Sequence, residues 1–409
     1  MVDSDSNRRL QIGRYDIASF LTYAIYAAGS VVIPVSLVEL ARELGFSLEA
    51  GGLTAGGALQ IGRTAALVCA MLACGFAAAR WGIRGTLGWS ILAMGAGMAL
   101  CAFAPNYVML LLALSVAGLG EGVIEGLATP FVQQLHAREP GRYVNLSHAF
   151  WSVGVFITVL AAGWLLSVGV SWRVITAGVA ALSLAPALLL VIPRKGVRAE
   201  MAFADSVPAA AVWGHASAIV REPRFWRYFA AMFVAGGGEF CLTFWCASYI
   251  QLHFAAAAWA GGVGTACFAA GMMAGRIGSG WLLHQNHLRS LIIGSGAAGV
   301  VITLLLPVIG HMNWFFVVLF AAGIASAPYW PSIQSYSADR LPDTDTTMLM
   351  ILLACAGVPG CGFFTWLMGF IGNHTGGLQS AFYLVPACYL ALTILIATDG
   401  RTETTNAVR

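Results

Sequence analysis

Runs of about twenty apolar residues follow one another along the whole chain, separated by short polar breaks. A bilayer's hydrocarbon core is crossed by roughly 20 residues of α-helix, so each run predicts a membrane-spanning helix. Twelve are expected, near 17–40, 52–79, 85–104, 107–131, 143–168, 173–192, 228–251, 257–283, 290–309, 314–335, 346–371 and 379–397. The longest polar break, 193–227, falls between the sixth and seventh runs. It divides the chain into an N-terminal six-helix bundle at 1–192, a linker at 193–227 and a C-terminal six-helix bundle at 228–409. The expected fold class is an all-α polytopic membrane protein with about twelve transmembrane helices in two bundles.

Composition sharpens this picture. Hydrophobic residues make up 59% of the 409 and charged ones only 10%, with a mean hydropathy of +0.80. A soluble domain carries about 25% charged residues. The apolar excess excludes a cytosolic enzyme, a secreted disulfide scaffold and a disordered chain, and it does not fit a transmembrane β-barrel with a polar lumen. The net charge of +3 comes from basic residues scattered among the breaks, with no run to track nucleic acid. The nine cysteines lie in apolar stretches without metal-ligand spacing to histidine. They read as small packing residues, and no metal site is expected. No P-loop, zincin, Ser-His-Asp or paired-cysteine signature occurs, and the linker is far below domain size. Neither a catalytic residue nor a cofactor is expected, and the chain has no room for an ATP-binding domain.

Numbering the breaks alternately from the N terminus separates the basic residues. Seventeen fall in one set, from Arg8, Arg9 and Arg14 through Arg80, Arg84 and Arg340 to Arg409, against Arg42 and Arg173 in the other. Cytoplasmic breaks carry the Lys and Arg excess. Both termini are therefore expected in the cytoplasm, with the chain in the plasma membrane, a bacterial inner membrane being the natural case. The polar first residues do not form a cleaved signal peptide, because the apolar run after them is too long and lacks a small-residue cleavage site.

Charges inside a bilayer are costly unless they face a wet cavity or a partner. Away from the ends of the runs, the ionisable residues to weigh are Arg63, Glu121, Glu125, His148, Glu239 and Arg276. Glu121 and Glu125 are four apart and share a helix face. Two carboxylates so placed repel when both are ionised, so one is expected to hold a proton and exchange it near neutral pH; the alternative is that one pairs with an arginine. Glu239 follows Gly236, Gly237 and Gly238, which are expected to loosen the helix and admit solvent. It reads as a proton site, a hydroxyl acceptor, a sodium ligand or a packing residue. Asn145, His148 and Trp151 recur at a helical spacing and suit a sugar: amide and imidazole for hydroxyls, indole for the C–H face. The alternative is lipid packing for Trp151 and a backbone partner for His148. Arg63, deep in its run, attracts an anionic solute or pairs with a carboxylate. Arg276, near the cytoplasmic end, reads as a gate or a structural residue. Pro34 and the pair Trp330–Pro331 are expected to mark helix breaks. Tyr23, Tyr26, Trp245 and Tyr329 are candidate aromatic liners.

A loop pattern recurs in the two halves. Gly75, Arg80, Gly82 and Arg84 stand at the end of the second run, and Gly280, His287 and Arg289 at the end of the eighth. With the six-plus-six layout and Ser171-Trp172-Arg173, this resembles the major facilitator superfamily, although Ala79 and His284 occupy its acidic slots. The stretches Gly118–Val132 and Asn145–Gly154, with Tyr329-Trp330-Pro331 and Leu384-Val385-Pro386, resemble the fucose permease family of sugar–proton symporters more closely. That resemblance implies alternating access, a small-molecule solute (a sugar first) and a proton as coupling ion, with sodium as the alternative. It also implies Glu125 as the principal proton carrier, with Glu121 and Glu239 beside it, and a monomer whose only other partner is the bilayer. One departure is that Ser30 stands where the family's first-helix acid is found. An organic-anion carrier with Arg63 as anion partner, a multidrug exporter and a non-transporting sensor remain alternative readings.

Overall fold

The computed structural model describes residues 12–136, 140–192, 209–282 and 287–400. The described residues form sixteen α-helices and two short 3-10 turns, and no strand. The N-terminal half holds α1 (Arg14–Glu43), α2 (Leu53–Trp81), α3 (Ile83–Ala102), α4 (Tyr107–Leu135), α5 (Pro140–Ser167), α6 (Trp172–Leu182) and α7 (Leu184–Val191). The linker carries α8 (Ala209–Arg221). The C-terminal half holds α9 (Pro223–His253), α10 (Ala258–Leu282), α11 (Leu288–Leu304), α12 (Met312–Ser326), α13 (Tyr329–Arg340), α14 (Thr346–Thr375), α15 (Leu378–Ala381) and α16 (Leu384–Ala397).

The twelve expected spans are all present. The sixth is α6 with α7, the tenth α12 with α13, and the twelfth α15 with α16. Eleven are long and apolar enough to cross a membrane by those criteria alone. The remaining one, α10, is so rich in glycine and alanine that its hydropathy falls short, yet it packs among the others like them.

Of the two breaks expected, the one at Pro34 is absent and the one in the tenth span lies three residues before Pro331. Helix α1 runs unbroken through Pro34, and α4 through Pro130. Proline removes one N–H and so frees the carbonyl four residues back. For Pro34 that carbonyl belongs to Ser30, and Arg63 Nη1 donates to it at 3.3 Å. The freed group has a partner and the helix stays whole. The tenth span breaks at Ala327–Pro328, leaving Pro331 in the first turn of α13, where a missing N–H costs nothing.

Helix ends carry the basic residues expected of them. Arg14 donates to the carbonyls of Leu188, Leu189 and Ile192. Arg84 donates to those of Leu190 and Val191. Two guanidiniums thus cap the C-terminal carbonyls of the sixth span, favourable both for the unpaired oxygens and for the helix dipole. Asp399 closes the other half in the same region, accepting from Tyr228, Tyr336 and Arg227 at 2.8 Å each. This end of the molecule is called the basic end below. Arg80 is exposed there. Arg8, Arg9, Arg409 and His284 lie outside the described residues.

Candidate functional site

The two halves meet along α2 against α14 and α5 against α10, with α1 against α9 between them. Away from the basic end these seams are tight. A Cβ at Gly262 of α10 would lie 2.3 Å from the carbonyl oxygen of Val159 on α5, so only glycine allows that approach. Trp245 is wholly buried and donates its indole N–H to the carbonyl of Thr365 at 3.0 Å. Its ring fills the seam beside Gly56 and Gly369. Trp245, expected to line a solute site, is therefore part of the seal between halves. Asn373 adds a polar tie, accepting from the N–H of Leu53 at 3.1 Å and donating to the carbonyl of Gly51 at 2.6 Å and to Thr54 Oγ1 at 2.7 Å.

Toward the basic end, a Cβ at Gly75 or Gly278 would meet nothing within 4 Å. Between the seal and this end, partly exposed polar side chains gather where the halves face each other: Glu125, His148, Glu239 and Arg276. This stretch is called the crevice below.

The crevice collects polar groups from both halves. His148 is exposed although three helices ring it, and Tyr23, Thr129 and His148 form a triangle. Tyr23 Oη lies 2.9 Å from Thr129 Oγ1 and 3.2 Å from His148 Nε2, and Thr129 Oγ1 lies 3.0 Å from His148 Nε2. Its Nε2 meets two side-chain hydroxyls rather than a backbone carbonyl. Glu125 is half-buried with the hydroxyl of Tyr26 in interaction range. Across the crevice, Glu239 Oε1 lies 3.8 Å from Arg276 Nη2. Arg276 also reaches the N-terminal half: Ser152 Oγ is 3.5 Å from its Nη1, and its guanidinium carbon stands 5.8 Å from the centre of the Trp151 ring. Cys361 of α14 lies within electrostatic range of both Glu125 and Glu239. Asn145 sits on α5, but its side chain lies outside the described residues.

Three expectations take definite form. Glu121 does not share the crevice with Glu125. It is fully buried and bound by Arg63 through two bonds, Nε to Oε2 at 2.8 Å and Nη2 to Oε1 at 2.5 Å. Arg63 spends its remaining edge on Ser30, at the carbonyl and at Oγ, both 3.3 Å away. With every edge engaged, neither residue is exposed to a solute here. The second concerns Arg276, read as a gate or a structural residue near the cytoplasmic end: its long side chain reaches Glu239 and, in the N-terminal half, Ser152 and Trp151. Third, Gly236, Gly237 and Gly238 do not loosen α9. They give it a smooth face against the backbone of Gly357 and the rings of Phe364 and Tyr389, and the helix is continuous around Glu239.

Thr129 and Ser152 were not singled out from sequence. Thr129 stands four residues after Glu125, the spacing that puts it on the same helix face, and Ser152 follows Trp151.

The profile of the Major Facilitator Superfamily matches residues 19–342. The chain belongs to this superfamily. Its members are transporters, and the fold is theirs. No curated protein matches the sequence significantly. Among solved structures, the fucose:proton symporter FucP of E. coli aligns over 95% of this chain and 100% of its own, at 18% identity and a TM-score of 0.63. The nucleoside transporter NupG covers 94% of this chain and 98% of its own, at 14% identity and a TM-score of 0.76. A D-xylose–proton symporter covers 94% and 97%, at 13% identity and a TM-score of 0.74. At such identities the likeness is one of fold.

Proposed function

We propose that this superfamily member is a secondary active transporter that moves a small polar solute, a sugar in the first instance, by alternating access coupled to protons. The observation that carries the reading is the polar crevice where the halves face each other, with a carboxylate from each half, Glu125 and Glu239, and the hydrogen-bonding triangle of Tyr23, Thr129 and His148 on the N-terminal side. A charge in such a place needs water or a partner, and a group that gains and loses its charge there can tie a proton to a change of shape. The fucose and D-xylose neighbours are named as proton symporters, which agrees in kind.

In this reading the basic end faces the cytoplasm, following the excess of Lys and Arg, and the membrane is the bacterial inner one. Glu125 is the principal proton carrier: among the described residues it has no arginine partner, whereas Glu121 is held by Arg63. Glu239 is the alternative carrier. Tyr23, Tyr26, Thr129, His148 and Trp151 hold the solute.

The test is pH-driven accumulation in proteoliposomes with L-fucose, D-xylose and uridine as probes, beside a sodium-gradient control. Glu125→Gln mimics the protonated acid; it should abolish accumulation and leave downhill exchange largely intact. Accumulation that survives Glu125→Gln overturns the carrier assignment. Uptake driven by sodium alone overturns proton coupling.

A further inference from the structure

Arginine presents five N–H donors in a planar fork matched to carboxylates. The two intramembrane arginines use that fork differently. Arg63 is engaged on Nε, Nη1 and Nη2. Among the described residues, Arg276 has one weak bond, to Ser152 at 3.5 Å, and one ion pair too long for a direct hydrogen bond, to Glu239 at 3.8 Å. Its side chain is 31% exposed, in the crevice rather than on the outside of the bundle. Beside it lie an indole face, Trp151, and an imidazole, His148, that feels its charge. The crevice thus holds a cation whose fork is unfilled, next to an aromatic plane and a hydroxyl-binding triangle.

We propose that the transported solute is an acidic polyol, an aldonate or uronate, whose carboxylate fills the fork of Arg276 while its hydroxyls meet Tyr23, Thr129 and His148. The inference rests on the transport reading above and names the class of solute for the same site. A neutral sugar leaves the fork of Arg276 with its distant partner. A carboxylate makes the bidentate, charge-assisted contact that the geometry lacks. Glu239 competes for the same edge. When Glu239 takes a proton, it gives up Arg276 to the solute, and the charge of the site is unchanged: one carboxylate replaces another. The other titratable groups around this exchange are Glu125 on α4, His148 on α5, Tyr329 on α13, Cys361 on α14 and Tyr389 on α16. Glu125 is the remaining acid, and its proton removes the other charge that would repel an anion.

The experiment uses the full chain, purified and reconstituted, with D-glucuronate and D-gluconate compared with D-glucose and D-glucitol. Thermal stabilisation reads binding, and counterflow reads transport. The acids should bind about tenfold or more tightly than the neutral partners. Arg276→Gln should erase that preference, and Arg276→Lys, which keeps the charge but loses the fork, should restore only part of it. Glu239→Gln removes the competitor and should tighten the acids without changing the neutral sugars; it decides the matter should Arg276→Gln fail to fold. Equal or tighter binding of neutral sugars overturns this inference. If they are also accumulated with protons, the transport reading stands without it. Acid binding unaltered in Arg276→Gln overturns it as well. An absence of binding and of proton-driven accumulation for both classes overturns the inference and the transport reading together.

Discussion

The two halves each carry an arginine on their second helix that pairs with a glutamate, and the pairs are built to opposite ends. Arg63 and Glu121 meet at 2.5 Å with side chains 3% and 1% exposed. Arg276 and Glu239 stand 3.8 Å apart at 31% and 14%. The first pair is saturated: two bonds to the carboxylate and two to Ser30, one of them on the carbonyl that Pro34 leaves free. The second is neither dry nor closed. A buried pair binds its partners in one geometry and resists change, because either charge alone would be stranded. A loose pair at a water-filled crevice can part at little cost. The same two residue types thus serve as a rivet in one half and as a hinge pin that can be drawn in the other.

Breaking the rivet should have the largest effect. Glu121→Ala strands the Arg63 guanidinium and should cost about 3–5 kcal/mol, seen as a large fall in thermal stability or as loss of folded protein. Replacing the pair together, as Arg63→Met with Glu121→Leu, should recover part of that loss but not all, since Ser30 then loses its donor. Glu239→Gln, by contrast, should change stability by less than about 1 kcal/mol. Equal losses for Glu121→Ala and Glu239→Gln would show that exposure does not separate the pairs.

The sequence already contained one side of this contrast. Apolar runs, their lengths and the distribution of arginine foreshadow the spans and the basic end, because bilayer thickness and backbone satisfaction leave few alternatives. Arg63, Glu121, Glu125, His148, Glu239 and Arg276 were equally visible within the runs, since the cost of burying them makes each conspicuous. Their pairing was not. Arg63 and Glu121 are 58 positions apart, and no local spacing tells whether Glu121 turns to Glu125, one turn away, or to a neighbouring helix. The prolines misled for a related reason: whether Pro34 breaks α1 depends on a donor from α2, which the sequence around Pro34 does not contain. Gly236–Gly238 pointed to looseness because glycine is permissive, yet what they supply is room for Gly357, Phe364 and Tyr389. Arg276 shows the limit of reading depth from position, because a long side chain reaches well beyond its own turn.

A third carboxylate sharpens the comparison, since Asp399 is as buried as Glu121 but lies beyond α16, past the end of the last apolar span. Burial alone would push its carboxyl up. The hydroxyls of Tyr228 and Tyr336, with Arg224 and Arg227, outweigh that and hold it below the usual carboxylate range. A carboxyl depressed on folding contributes stability that is fully present above its unfolded value, about 3.9, and is lost as pH falls through the folded value. Asp399→Asn should therefore cost about 2 kcal/mol at neutral pH. The gap between variant and parent should close in acid, below about pH 4. Thermal unfolding measured across pH checks both. A gap that persists in acid would mean that Asp399 acts through shape and not through charge.

The smallest effect is expected where the seal must open if the loose pair is to matter. Helix α2 starts at Leu53 behind Gly52, which has no side chain with which to cap it. The cap comes from the other half: Asn373 accepts from the N–H of Leu53 and donates to Gly51 and Thr54. Moving the halves apart at this end uncaps α2, so Asn373 stabilises the sealed arrangement and not the opened one. Asn373→Ala should remove about 1 kcal/mol from the sealed state, which shifts the ratio of sealed to opened molecules by about fivefold. Helix packing and the fold should be almost untouched. Distance distributions between spin labels at Glu49 and Gln379, on either side of the seam, measure the shift: the long-distance population should rise in Asn373→Ala. In Arg63→Met with Glu121→Leu it should not rise, because that pair fastens helices within one half and has no part in the seam. If Asn373→Ala leaves the distribution unchanged, the seal is carried by the Trp245 ring against Gly56 and by the glycine contact at Val159, and the polar tie is incidental.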